Sequence, residues 1–280
     1  MIRTSGTLGA AVALALAAGA SAQPGAAVAS AKISVTRLDC GSIKVSDFDV
    51  FSDTYLYEGK PKALTASCYL IRHGDRILLW DTGVAGSLAG KPAETEWVFT
   101  ISLKERIVEQ LAKLGLKPSD VDFVGISHYH DDHTGQAADF PGATLLIGSG
   151  DWDAVKTRPD TAKRFTPWIS GGGKVEPVAR DKDVFGDKSV VILDMPGHTP
   201  GHKALLVRLK SGPVLLTGDL YHATEQVANR GVPSFNTNRA DTLASFDRFQ
   251  AIAKSLNAKV IIQHEPADVA KLPAFPAAAE

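Results

Sequence analysis

The sequence predicts an α/β fold in which helices pack outside one or two β-sheets. Three observations carry that expectation. Strand-like runs rich in Val, Ile and Leu recur from residue 33 to residue 263. Two longer segments instead repeat their apolar residues at helical spacing. The residues best suited to chemistry fall directly after strand-like runs, where such folds place their functional loops.

The strands are expected at 33–39, 66–72, 76–80, 122–127, 143–147, 174–178, 189–194, 203–209, 213–217 and 259–263. His73-Gly74-Asp75 reads as a tight turn between the second and third, with His73 exposed to solvent. One helix is expected over 103–115, where Leu103, Ile107, Leu111 and Leu114 share a face. The other runs over 239–256 through Leu243, Phe246, Phe249, Ala253 and Leu256. Asn238 and Asp241 resemble an N-cap pair at its start. Shorter helices are expected near 134–139 and 150–157. No Pro/Gly/Ser-rich linker interrupts residues 32–270, so 23–280 read as a single domain.

The charge balance, 30 basic against 31 acidic residues, carries no electrostatic footprint for nucleic acid. Residues 1–22 have the form of an export signal. Arg3 precedes an apolar run from Leu8 to Gly19, and Ala20-Ser21-Ala22 fits the cleavage rule, leaving Gln23 as first mature residue. A run of about a dozen residues is too short for a bilayer, which needs roughly 20. No twin arginine is present, and no cysteine follows the run as in a lipoprotein. The expected location is therefore periplasmic or secreted, without stable membrane association. Cys40 and Cys68 lie on or beside N-terminal strands; in an oxidising compartment they read equally as one disulfide or two buried thiols.

The strand ending Val124-Gly125-Ile126-Ser127 runs straight into His128-Tyr129-His130-Asp131-Asp132-His133. Three imidazoles and two carboxylates in six residues make a concentrated set of donors for zinc. His128 and His130 can point to one side of such a turn while Asp132 and His133 diverge, so one segment can serve two metals. Three more strand ends offer partners. They are Pro196-Gly197-His198-Thr199-Pro200-Gly201-His202, Gly218-Asp219 and Gln263-His264. Each is unremarkable alone, and the repeated arrangement is what singles them out.

These motifs, in this order and across residues 33–265, resemble the metallo-β-lactamase superfamily, and Asp81-Thr82-Gly83 is similar to its early loop beneath the metals. The resemblance implies an αββα sandwich, two sheets face to face with helices outside. It also implies a dizinc site with manganese, cobalt or iron as substitutes. His128, His130 and His198 would hold one ion, Asp132, His133 and His264 the other, and Asp219 would bridge them. His202 is expected beside the ligands rather than among them. The chemistry implied is hydrolysis by a shared hydroxide, with Asp132 shuttling a proton and no covalent enzyme intermediate.

The segment Gly218-Asp219-Leu220-Tyr221-His222, with Val232 to Asn236, Arg239 to Ser245 and Gln263-His264-Glu265, resembles the N-acyl homoserine lactonase branch. That branch implies opening of acyl lactones, which quenches quorum sensing. Its tyrosine three residues after the bridging aspartate is replaced here by His222, so Tyr221 and His222 are both candidates to hydrogen-bond the developing oxyanion. Asp131 departs too, standing where some lactonases carry a bulky apolar residue. Trp97, Phe99, Trp152, Phe165 and Trp168 read equally as pocket wall or as core. Other readings of the same site are a β-lactamase, an organophosphate hydrolase and a glyoxalase II-like thioesterase; a binding protein without turnover is a further one. The expected partner is a small ester or lactone, and a homodimer is compatible with the sequence.

Overall fold

Alternate residues along the strands face two different cores, and that division builds four layers. In the computed structural model, which describes residues 31–280 and residues 1, 2 and 6 before them, Cys68 and Leu70 face one core while Tyr69 and Ile71 face another. The strand that carries them is β2 (Lys62–His73), and its neighbour β3 (Arg76–Trp80) divides likewise into Ile77 and Leu79 against Leu78 and Trp80. This is the period of two expected of a pleated strand buried on both faces. It explains why these runs are continuously apolar. The export signal expected over 1–22 lies outside the described residues apart from those three positions.

The larger sheet also contains β1 (Ile33–Val45), β4 (Glu94–Glu96), β5 (Phe99–Ser102), β6 (Phe123–Ile126), β7 (Thr144–Gly148) and β8 (Val175–Val178). Its order is β4-β5-β1-β2-β3-β6-β7-β8. The smaller sheet joins β9 (Lys182–Asp183), β10 (Val190–Asp194), β11 (Lys203–Leu209), β12 (Gly212–Leu216) and β13 (Lys259–Ile261), in the order β13-β12-β11-β10-β9. Between the sheets, Tyr69, Ile71, Leu78 and Trp80 meet Leu205, Val207, Val214 and Leu216. α1 (Ile107–Lys113), α3 (Ser149–Lys156) and α5 (Thr166–Ile169) pack residues into the outer core of the larger sheet, while α2 (Asp131–Thr134) follows the end of β6 and α4 (Pro159–Ala162) follows α3. The smaller sheet presents Ala204, Leu206 and Leu215 to Phe246 and Phe249 of the long helix. That helix is α7 (Arg239–Leu256), preceded by α6 (Glu225–Asn229) and followed by α8 (Pro266–Val269). The arrangement is the αββα sandwich.

Strand direction gathers the site. β3, β6 and β7 are parallel neighbours, so their C-terminal ends share one edge of the larger sheet. β12 and β13 are parallel, and β10 and β12 are both antiparallel to β11, so these three end together in the smaller one. The loops that leave these ends carry Asp81, His128, His198, Asp219 and His264.

Three local expectations change. The first helix begins at Ile107 rather than 103, because Leu103 is held in a bridge with Ala89 and the Glu109 carboxylate caps the backbone N–H of Arg106 at 2.8 Å. Residues 94–102, which fall outside every expected strand and helix, form the β4–β5 hairpin, which pairs with the end of β1 beyond a bulge between Asp39 and Ser42. His73 is not a free turn residue; it ends β2, pairs with Asp187 at 2.7 Å and stacks on Phe185. Asn238 caps α7 as expected, accepting from Asp241 N at 3.1 Å.

Cys40 and Cys68 are joined in a disulfide between β1 and β2, with a sequence separation of 28. Closing a loop of that size restricts the unfolded chain. The double variant C40S/C68S should lose about 3–4 kcal/mol of folding stability, read as a lower denaturant midpoint, with a steeper slope as the unfolded chain expands.

Candidate metal centre

The sequence-predicted ligands converge in two groups. His128, His130, His198 and Asp219 form one and Asp132, His133 and His264 the other, and within each group the offered atoms lie within 4.8 Å of one another. All are buried except His130, which is half-buried, and Asp132, whose side chain is 25% exposed. In the first group His130 Nδ1 lies 2.9 Å from His128 Nε2 and 3.0 Å from His198 Nε2. In the second, His133 Nε2 and His264 Nε2 are 3.1 Å apart. Asp219 spans both. Its Oδ2 is 3.3 and 3.4 Å from His128 and His198, and its Oδ1 is 2.9 Å from both His133 and His264.

This crowding fits cations better than it fits hydrogen bonds. His133 Nδ1 donates to Asp81 at 2.9 Å and His264 Nδ1 donates to the Thr65 carbonyl at 2.8 Å. When these rings are neutral, bare Nε2 lone pairs face each other. Asp219 Oδ1 is buried beside both of them and still accepts no hydrogen bond. Tetrahedral zinc, with bonds of about 2.0–2.1 Å, holds its ligand atoms roughly 3.3 Å apart. The donor set, imidazole nitrogen with carboxylate oxygen, is also what such an ion takes.

The electrostatics agree. Burial, then the neighbouring imidazoles, holds His128 and His130 well below the ordinary histidine range despite the pull of Asp219. Burial also pulls on His133, but the carboxylates of Asp219, Asp81 and Asp132 outweigh it and raise that ring well above its usual value. His264 rises for the same reason, through Asp219 and Asp132. Burial would raise Asp219, yet the surrounding imidazoles hold it well below the carboxylate range. The second group is thus a place of negative potential that favours positive charge.

A frame of buried polar groups fixes the ligand loops. Asp81 accepts from Ser127 N at 2.7 Å and from Gln263 Nε2 at 2.8 Å, besides His133. Gln263 Oε1 in turn accepts from Gly218 N at 2.9 Å, tying the loops before Asp219 and His264 together. His202 stays outside both groups. Its Nδ1 donates to the Met195 carbonyl and its Nε2 accepts from Asp219 N at 2.9 Å, while burial lowers its pKa to about 3 and keeps it neutral. Gly197 (φ 135°) and Gly218 (φ 55°) have no room for a side chain, since an added Cβ would lie 2.3 Å from Thr242 N or 2.6 Å from His202 Nε2.

Asp151 was not evident from the sequence; it lies in α3, outside any motif. Its carboxylate accepts from Tyr129 N at 3.1 Å, Thr199 Oγ1 at 2.8 Å and Gly201 N at 2.6 Å, clamping the two loops that supply the histidines of the first group. Burial nonetheless pushes its pKa up to about 6.

Neither expected oxyanion donor is arranged for that task. Tyr221 turns away from the ligands, stacks on Phe246 at 4.5 Å and takes a hydrogen bond from Gln250. His222 does border the site, but its Nε2 lies 3.0 Å from Asp219 Oδ2, an acceptor, so its hydrogen is spent there. Burial lowers His222 to about 4, so the ring is neutral and Nδ1 offers a lone pair instead of a donor.

The two groups lie at the wall of a cavity of about 890 Å³. Its apolar lining includes Ile43, Phe51, Leu64, Phe99, Ile101 and Phe235, and its charged lining includes Glu94, Glu96, Asp131 and Arg164. Trp97 and Phe99 are wall residues, whereas Phe165 and Trp168 belong to the outer core and Trp152 packs against it. Phe51 and Phe235 stand 5.5 Å apart and were not singled out as wall residues by their sequence neighbourhoods.

Residues 61–264 match the family model of the metallo-beta-lactamase superfamily. The chain belongs to that superfamily. As a metallo-beta-lactamase superfamily member it is a metal-dependent hydrolase. Among curated relatives it is similar to the N-acyl homoserine lactonase AttM of Azorhizobium caulinodans, at 34% identity over 71% of this chain and 81% of the relative. An N-acyl homoserine lactonase of Bacillus cereus is 29% identical over 71% of this chain and 80% of its own. In fold, the chain is similar to a solved N-acyl homoserine lactone hydrolase with N-hexanoyl-L-homoserine at its catalytic metal center. That likeness has a TM-score of 0.74 and 24% identity, over 89% of this chain and 99% of that one.

The Asp151 clamp can be tested in this superfamily member. D151A leaves three buried donors without an acceptor, which should cost about 3 kcal/mol or more. A lower melting temperature together with a lower metal content on purification is the expected result; an unchanged melting temperature would show the clamp to be idle.

Proposed function

We propose that the protein is a dizinc lactonase that opens N-acyl homoserine lactones. The observation that carries this reading is the Asp219 carboxylate, shared between two imidazole groups at the wall of a cavity with an apolar lining. The similarity to N-acyl homoserine lactonases over most of both chains supports it. His128, His130 and His198 would hold one ion, Asp132, His133 and His264 the other, with Asp219 between them. Such a pair lowers the pKa of water towards neutrality and polarises an ester carbonyl.

The chain's own residues supply position and proton transfer. Asp132 is the most exposed of the carboxylates in the two groups, with its Oδ2 3.5 Å from His264 Nε2. It is placed to take a proton from attacking water and pass it to the departing ring alkoxide. His222 orients Asp219 through the contact at Oδ2. Ile43, Leu64, Phe99 and Ile101 offer an acyl chain a surface free of water. Export belongs to the same proposal, and the Cys40–Cys68 disulfide suits an oxidising compartment. The secreted protein should have the intact mass of residues 23–280; a mass that includes residues 1–22 would count against cleavage.

Acid release from N-hexanoyl homoserine lactone should exceed turnover of nitrocefin, paraoxon and a glutathione thioester by the zinc-loaded protein. If the lactone alone is left intact, the lactonase reading fails and the active alternative replaces it. D219A should lose metal and lactone opening together, by about a hundredfold or more in activity; full metal content with full activity would remove Asp219 from the site.

A further inference from the structure

The disulfide sits where the pairing of β1 with β2 breaks. Asp39 pairs with Ser67 and Ser42 with Thr65, so Cys40 and Gly41 bulge together against Ala66. A bulge leaves its extra residue out of the ladder and disrupts the pairing around it. Here the Cys40–Cys68 cross-link, fully buried in the outer core, ties the bulge back to β2. Both carbonyls of the bulge are also engaged. Cys40 O accepts from Val84 N at 3.0 Å, and Gly41 O accepts from Thr65 Oγ1 at 3.1 Å.

Each of those donors leads to the second ligand group. Val84 ends the loop that begins at Asp81, and within it Gly83 (φ 63°) lies so close that an added Cβ would stand 2.5 Å from Cys40 Cβ. That loop grips α2, which carries Asp132 and His133. Thr82 N donates to the His133 carbonyl at 2.7 Å, and Gly83 O accepts from Gly135 N at 2.7 Å. Thr65 serves His264 in the same way. Its N–H donates to the His264 carbonyl at 3.1 Å, and its carbonyl accepts from His264 Nδ1 at 2.8 Å. The bulge thus backs the main chain of His133 and both the main chain and the ring of His264. The histidines of the first group are held elsewhere, through the contacts of Asp151 with Tyr129 N, Thr199 Oγ1 and Gly201 N.

We infer that Cys40 and Cys68 are positioning residues: their cross-link fixes the bulge that backs the second metal position, so that breaking it loosens that ion and leaves the first in place. The inference rests on the two-metal reading above. Removing a group that orients metal ligands from behind costs about tenfold to a hundredfold in affinity. A loss of global stability would act on both ions instead, because the two groups share Asp219.

The test titrates the zinc-loaded protein with a chelator and reads bound zinc per chain, which should fall in two steps. H264A, which lacks one ligand of the second group, shows which step belongs to that ion. C40A/C68A, which removes the cross-link without burying a hydroxyl, should bind the second-group ion about tenfold to a hundredfold more weakly and keep the first within about twofold. T65V, which keeps the disulfide and removes the hydroxyl contact with Gly41, should weaken the same ion several-fold. L206A opens a cavity in the core beneath α7, so it lowers stability away from the bulge and should hold both ions as the wild type does. Equal loss of both ions in C40A/C68A, loss of neither, or the same selective loss in L206A would overturn the inference. Should C40A/C68A fail to fold, T65V decides, and wild-type binding of the second ion there overturns it. A wild type that takes up only one zinc would instead sink the two-metal reading, and the inference with it.

Discussion

Asp219 sits 4% exposed between two sets of imidazoles, one oxygen turned to each. A carboxylate that deep is stable only while positive charge surrounds it, and imidazoles whose bare nitrogens face one another need the same. The two requirements meet at one point in space. Because the groups come from loops of both sheets, the facing of the sheets is set by this contact as well as by the apolar core between them. The dry layer of Tyr69, Trp80, Leu205 and Leu216 supplies the bulk of the attraction. The shared carboxylate limits where the strand ends can lie within it.

Such a constraint needs support that does not move. Asp81, Gln263, His202 and Asp151 provide it as buried groups whose hydrogen bonds go to ligand loops. Each fixes a backbone N–H or a ring nitrogen, and Asp81, together with a backbone carbonyl, also settles which nitrogen carries hydrogen. Asp81 does this for His133 and the Thr65 carbonyl does it for His264, leaving the facing nitrogens free. The tautomers are therefore decided a layer beneath the centre. His222 illustrates the limit of this logic. By giving its hydrogen to Asp219 it stabilises the bridge and gives up the donor role that its place in the sequence suggested.

The α/β class and the strand-end placing of the ligands were legible because both depend on local pattern, whereas the four layers and the division of the ligands into two groups were implied by the family resemblance. A strand buried on both faces is a run such as Leu78-Leu79-Trp80, and a strand-end histidine is visible wherever such a run stops. The β4–β5 hairpin was not legible, since its three- and four-residue strands gain stability from pairing with β1, not from their own sequence. Tyr221 misled for a related reason. Position along the chain gives its place after Asp219, but only the packing of α7 shows that its ring lies against Phe246. Asp151 has no motif at all. Its role comes from a residue far away in sequence, Gly201, and only coordinates bring the two together.

The span of the ligands along the chain, from His128 to His264, sets the order in which the protein can be made. No chain that stops before residue 264 contains the complete set, because β13 and the loop carrying His264 come late, and β13 must pair beside β12. The centre therefore forms after synthesis has nearly ended and the final parallel strand has docked. If the chain is exported unfolded, that step occurs beyond the membrane. The metal then found in the protein reflects what is available where folding finishes, more than what was plentiful where translation began.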